Sequence, residues 1–224
     1  MPIIRRVCVP LLVPEDIIPH LGAPHHWKEG RSAKNLIDLW WAANAIPPSI
    51  GQMLEAVPEW QGAELIDAFA ERCTSLDDGR PSHSQSDLLA IVGLAAGIGV
   101  LSIEAKVDEG FDKTVDQWLK GDSKGKAHRL SKLVGLLGVE PHGFGKLRYQ
   151  LLHRTASAII EAKRYRTRQA AMIVQSWCPD LSGLEDFLVF CEAIGIARPE
   201  IGRLTSPVVI DAVELRLGWS AEAG

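Results

Sequence analysis

The sequence predicts an α/β protein of the α+β kind, with a central mixed β-sheet flanked by helices. Three observations predict it. Residues 87–92 and 99–107 are short apolar and β-branched runs joined through Gly93-Leu94-Ala95-Ala96-Gly97, the pattern of a hairpin. Residues 146–166 carry Leu147, Leu151, Leu152, Ala156, Ile159 and Ile160, the apolar stripe of a long amphipathic helix. Residues 170–176 then form a continuous apolar run, as a parallel strand buried on both faces requires. A hairpin, a helical crossover and a buried strand build a sheet with helices packed on it.

Each element follows from local chemistry. Residues 1–30 read as irregular, with His25, His26 and Trp27 in a proline-flanked loop. Ser32 is placed to cap a helix over 33–45, which Pro47-Pro48 ends. Short helices are expected over 49–57 and 61–72, so residues 1–75 read as an N-terminal helical part. The cluster Asp77-Asp78-Gly79-Arg80-Pro81 reads as a turn before the hairpin. A helical turn or two is expected from Thr114 to Leu119, and a helix over 125–138 stopped by Gly138. Residues 184–194 read as a helix halted at Gly195. The alternation of Val213, Leu215 and Leu217 with Glu214 and Arg216 predicts a final edge strand. Trp40-Trp41 and Trp118 read as core or interface anchors.

A chain of 224 residues with 46% apolar content forms one domain, 1–224, with a substantial core. No apolar segment reaches the roughly 18 uncharged residues of a membrane span, and the N-terminus is a poor signal peptide. Cys8, Cys73, Cys178 and Cys191 are scattered without a Cys-x-x-Cys pair, which fits reduced residues of a cytoplasmic protein. The charge is unevenly spread. Residues 120–170 hold twelve Lys and Arg against three acids, a net +9 in a chain of net −4, so the remainder carries −13. Such asymmetry points to a basic face for a polyanion. The alternative is a set of helix faces that pair with acids elsewhere in the fold.

The chemistry concentrates on the hairpin. Residues two apart on a strand face the same side, so Glu104 and Lys106 project together while Ala105 points into the core. Asp87 on the neighbouring strand completes a pair of hard carboxylates beside one ammonium. That set can hold Mg²⁺ or Mn²⁺ and support water attack on a phosphodiester. The bland alternative is an exposed same-face Glu–Lys pair worth under about 1 kcal/mol.

At Asp87 and Glu104-Ala105-Lys106 the sequence resembles the PD-(D/E)XK nuclease superfamily, with Ser86 where that pattern has a proline. The wider stretches around Asp87, Glu104–Glu109 and Leu147–Ala156 resemble an uncharacterised bacterial protein family assigned to that fold. The resemblance implies a restriction-endonuclease-like core over 84–219. It also implies a DNA-cutting nuclease with Asp87, Glu104 and Lys106 as catalytic residues and Asp87 and Glu104 as metal ligands. Gln150 and Arg154, four apart on one helix face, are then placed to hold water or phosphate. Lys124, Lys126, Arg129 and Arg148 join them as nucleic-acid contacts, and Glu71, on the helix expected before the hairpin, is a further possible ligand. Two other readings stay open: a non-catalytic nucleic-acid-binding protein, and an oligomeric interaction protein such as a homodimer joined through Trp40, Trp41 and the first helices.

Overall fold

The computed structural model describes residues 8–76, 83–121, 124–138 and 143–223, so the turn expected at 77–81 lies outside the described residues. Helix α1 spans Ser32–Ala43 and α2 spans Pro48–Glu55. Strands β1 (Glu64–Ser75), β2 (His83–Leu94) and β3 (Gly97–Lys106) form an antiparallel meander. Helices α3 (Val115–Leu119), α4 (Lys124–Leu137) and α5 (Tyr149–Arg164) carry the chain across to β4 (Gln169–Ser176), parallel to β3. Helix α6 (Leu184–Ala193) leads to β5 (Val208–Ile210) and β6 (Val213–Ala221), and β6 pairs parallel with β4. The sheet is mixed and six-stranded, in the order β1-β2-β3-β4-β6-β5, which is the α+β sheet the sequence predicts.

The sheet buries both faces. On one side Leu89, Ile91, Val100, Met172 and Leu215 pack against α4, α5 and α6. On the other, Leu88, Ala90, Leu101, Ile103 and Ile173 pack against Leu36 and Trp40 of α1, Ile50 and Met53 of α2, and Trp60. Gly99 lets Trp60 reach the strand, because a Cβ there would stand 2.8 Å from two atoms of its ring. Trp40 is buried and donates its Nε1–H to Gln175 Oε1 at 3.0 Å, whereas Trp41 is 42% exposed. None of Cys8, Cys73, Cys178 and Cys191 is joined in a disulfide among the described residues. Among the described residues no helix is long and apolar enough to cross a membrane.

Three expectations are corrected. Residues 61–72 do not form a helix: β1 begins at Glu64 and pairs with β2 along its length. The Ala- and Glu-rich stretch favours helix locally, and cross-strand pairing with a hydrophobic partner overrides it. Among the described residues the N-terminal helical part therefore ends at Trp60, short of the expected 75. The last strand is not an edge, since β6 lies between β4 and the three-residue β5. Its alternating polar residues find partners within the fold, although Arg216 Nε has no hydrogen-bond partner among the described residues. Glu214 accepts from Gln169 at 2.9 Å, and Arg216 bonds the Thr205 carbonyl and Glu59. Finally, Arg31 rather than Ser32 holds the N-cap position of α1, and no side chain caps it. Thr114, by contrast, closes a capping box with Gln117 at the start of α3.

Candidate functional site

The alternation of β1 and β2 slips where the acidic residues stand. Ser84 faces α5 through its bond to His153, and Ser86 bonds Ser102, which shares a face of β3 with Val100, yet further along it is Leu89 and Ile91 that join the core on that side. On β1, Arg72 and Thr74 reach Glu161 of α5, while Phe69 packs on the same core. Glu71, between them, has a left-handed φ of 52°. Because both strands slip together, their register is kept on either side, with Ala70 opposite Leu88 and Arg72 opposite Ser86. The β2–β3 ladder stops at Leu88 opposite Ile103, and beyond it Asp87 Oδ2 accepts the N–H of Ala105 at 2.8 Å. Such irregularities re-aim side chains near sites.

The expected residues Asp87, Glu104, Lys106, Gln150 and Arg154 meet here. Lys106 Nζ donates to Glu104 Oε1 at 2.8 Å and to Gln150 Oε1 at 3.2 Å. Gln150 Nε2 donates to the same Glu104 oxygen. Arg154 donates through Nε to Glu104 Oε2, and its Nη2 stands 3.5 Å from Asp87 Oδ1. Glu104 is 2% exposed, Lys106 4% and Arg154 8%, so the pair is no half-solvated surface contact: α5 lies across the end of β3 and covers it. The Asp87 side chain, 22% exposed, is the open one. Ala105 is buried on the opposite face, as its parity requires.

Glu71 joins from β1 and not from a helix. It sits between the residue pairs that flank Asp87, and its carboxylate accepts from Gln85 Nε2 at 2.6 Å. The basic residues do not converge on this point. Lys126 caps the end of α3 through the carbonyls of Trp118 and Lys120, and Arg129 lies by Tyr149 and Trp118. Arg148 pairs with Asp186 at 2.9 Å, and Lys124 is exposed on α4. Lys163, Arg164 and Arg168 pair with Asp211, Glu161 and Glu214. Part of the positive segment is thus spent inside the fold.

Two participants escaped the sequence reading. Ser84 Oγ lies 2.8 Å from His153 Nδ1 and accepts from Arg154 Nη1 at 3.1 Å. The signal available for Ser84 was the polar stretch Ser84-Gln85-Ser86 opening a strand whose later residues are buried. His153 was marked only by lying beside Arg154, one turn from Gln150.

Three carboxylates face two cations, and the electrostatics register the imbalance. Burial would raise Glu104, but Arg154 and Lys106 outweigh it and hold its carboxyl below the usual range. Asp87 is pushed up to about 7 by burial and by the charge of Glu104. Glu71 rises to about 7 through burial and the charge of Asp87. Burial and Arg154 push His153 down to about 3, so it is neutral. A carboxyl whose folded pKa is raised stabilises the fold at low pH, and that contribution is lost as pH rises through the folded value. The melting temperature is therefore expected to fall between about pH 4 and pH 7 on account of Asp87 and Glu71. Asp87→Asn should flatten that slope, a result readable by thermal scans across the range.

The fold and site define a mixed-sheet α/β domain with a buried carboxylate–cation cluster at the end of its central hairpin. The family described as a domain of unknown function (DUF6946) matches residues 10–223, and the chain belongs to that family. No curated protein and no solved structure matches it.

Proposed function

We propose that this chain is a divalent-metal-dependent phosphodiesterase acting on DNA, with Asp87, Glu104 and Lys106 as its catalytic residues. The observation that carries the reading is the convergence of these three side chains at the end of β3, in a cluster with one negative charge more than its cations neutralise. That excess is met by a proton on Asp87 or Glu71, and a divalent ion is the natural replacement for the proton. Among the described residues, no three His, Cys, Asp or Glu side chains are grouped to hold a metal by themselves. The donors fit in kind, being hard oxygens at a site of residual negative charge.

Asp87 and Glu104 would hold Mg²⁺ or Mn²⁺, with Glu71 supporting Asp87. The ion, when bound, would neutralise phosphate charge and acidify water. Glu104 is kept ionised by its buried partners. Lys106 presents an ammonium 2.8 Å from Glu104 and 5.2 Å from the centre of the Phe111 ring. An ammonium so fixed stabilises charge developing on phosphoryl oxygens without reorganising. Gln150 fixes Lys106 and Glu104 with the two ends of one amide.

One observation favours a second reading. Both Glu104 oxygens are already occupied, and Arg154 bridges to Asp87, so the cluster also fits a non-catalytic nucleic-acid-binding protein that keeps the fold. The deciding experiment is cleavage of supercoiled, linear and single-stranded DNA, and of RNA, with Mg²⁺, Mn²⁺ or chelator. Binding is measured in parallel against salt. Metal-dependent cleavage lost in Glu104→Gln supports the enzyme. Equal inertness of both forms with steeply salt-dependent binding selects the binding module, because each neutralised phosphate releases counterions. Inertness with flat salt dependence removes both.

A further inference from the structure

We propose that Ser84 and His153 are positioning residues that pin the Arg154 guanidinium against Asp87 and Glu104, so that Arg154 and a divalent ion compete for those carboxylates. The inference rests on the metal reading above. It begins from how completely Arg154 is engaged. Its Nε reaches Glu104, its Nη2 stands 3.5 Å from Asp87 and its Nη1 donates to Ser84 Oγ at 3.1 Å. Three nitrogens are held by residues from two strands, and the side chain is 9% exposed.

Ser84 is 1% exposed, and its hydroxyl has a single proton. Arginine only donates, so Ser84 accepts from Nη1 through one lone pair, and its Oγ shares a second hydrogen bond with His153 Nδ1, 2.8 Å away, whose direction the imidazole tautomer sets. Burial and the charge of Arg154 keep the ring neutral. His153 immediately precedes Arg154 on α5, so one turn of helix carries both the guanidinium and the group that sets its acceptor. The third guanidinium contact aims the fork at both carboxylates.

A cation between two carboxylates opposes a second cation at the same oxygens. Loosening Arg154 is thus expected to tighten metal binding, by about threefold to tenfold when one buried hydrogen bond is removed. Mn²⁺ affinity is measured by electron paramagnetic resonance, and exchange of the Arg154 Nε–H by NMR, on the full chain. In Ser84→Ala and His153→Leu, exchange should quicken and Mn²⁺ should bind more tightly. His153→Asn keeps a hydrogen-bonding amide, able to donate or accept, near the Nδ1 position and should restore both wild-type values. If Ser84→Ala does not fold, the contrast between His153→Leu and His153→Asn decides the matter. Unchanged exchange in both disruptive variants overturns the positioning role. Faster exchange with unaltered Mn²⁺ affinity overturns the competition. Faster exchange with no Mn²⁺ bound to any form, wild type included, keeps the positioning role and overturns the metal reading beneath it.

Discussion

Glu104→Ala is expected to cost about 3–5 kcal/mol of stability, because it strips a buried anion from two buried cations. Glu104 is 2% exposed, and both its oxygens are in use, one by Lys106 and Gln150 and the other by Arg154. A strand-end carboxylate in solvent would leave the fold indifferent to its loss. Here its removal leaves an ammonium and a guanidinium without the one carboxylate that contacts both, with Asp87 and Glu71 as the remaining anions of the cluster. Urea denaturation of wild type, Glu104→Ala and Glu104→Gln reads the effect. The glutamine keeps the shape and one acceptor, so it should lose less than the alanine while equally abolishing any metal-dependent turnover. A loss below about 1 kcal/mol in Glu104→Ala would mean that the cluster is solvated and that α5 does not seal it.

The same burial explains what the sequence could and could not disclose. The hairpin, the shared face of Glu104 and Lys106, and the inward Ala105 follow from a period of two, and the structure has all three. The pairing of Gln150 with Arg154 follows from helical spacing. What spacing cannot supply is the identity of a partner. A reading from one helix face sends Arg154 to a phosphate, whereas the fold turns it onto two carboxylates and a serine. Likewise, net positive charge over 120–170 does not reveal that Arg148 and Lys163 already have acidic partners elsewhere in the fold. Strand β1 was illegible for a different reason. Its Ala and Glu residues are good helix formers, and its strand character comes from β2, a partner beyond the turn. A reading of that stretch by local propensity puts Glu71 on a helix face, although its place opposite Asp87 depends on a paired slip in two strands.

Lys106→Met is expected to remove the rate while sparing the fold, and so to separate chemistry from architecture. Lys106 is 4% exposed, with its stem in the sheet and its ammonium on Glu104 and Gln150. Methionine matches the stem and deletes the charge. Glu104 keeps Arg154 and Gln150, so the carboxylate is not abandoned, and the stability loss should stay within about 1–3 kcal/mol. Mn²⁺ should bind at least as tightly, since a competing cation has gone from beside the carboxylates. Turnover on DNA at saturating Mn²⁺ should nonetheless drop about 10²–10³-fold, the usual effect of deleting one fixed donor aimed at developing charge. Lys106→Arg should not rescue it, because the wider planar fork cannot occupy a point site already closed by Gln150 and Phe111. Single-turnover cleavage with separately measured metal affinity distinguishes the outcomes. Cleavage within about threefold of wild type in Lys106→Met would make the lysine a structural counter-ion and remove it from the proposed chemistry.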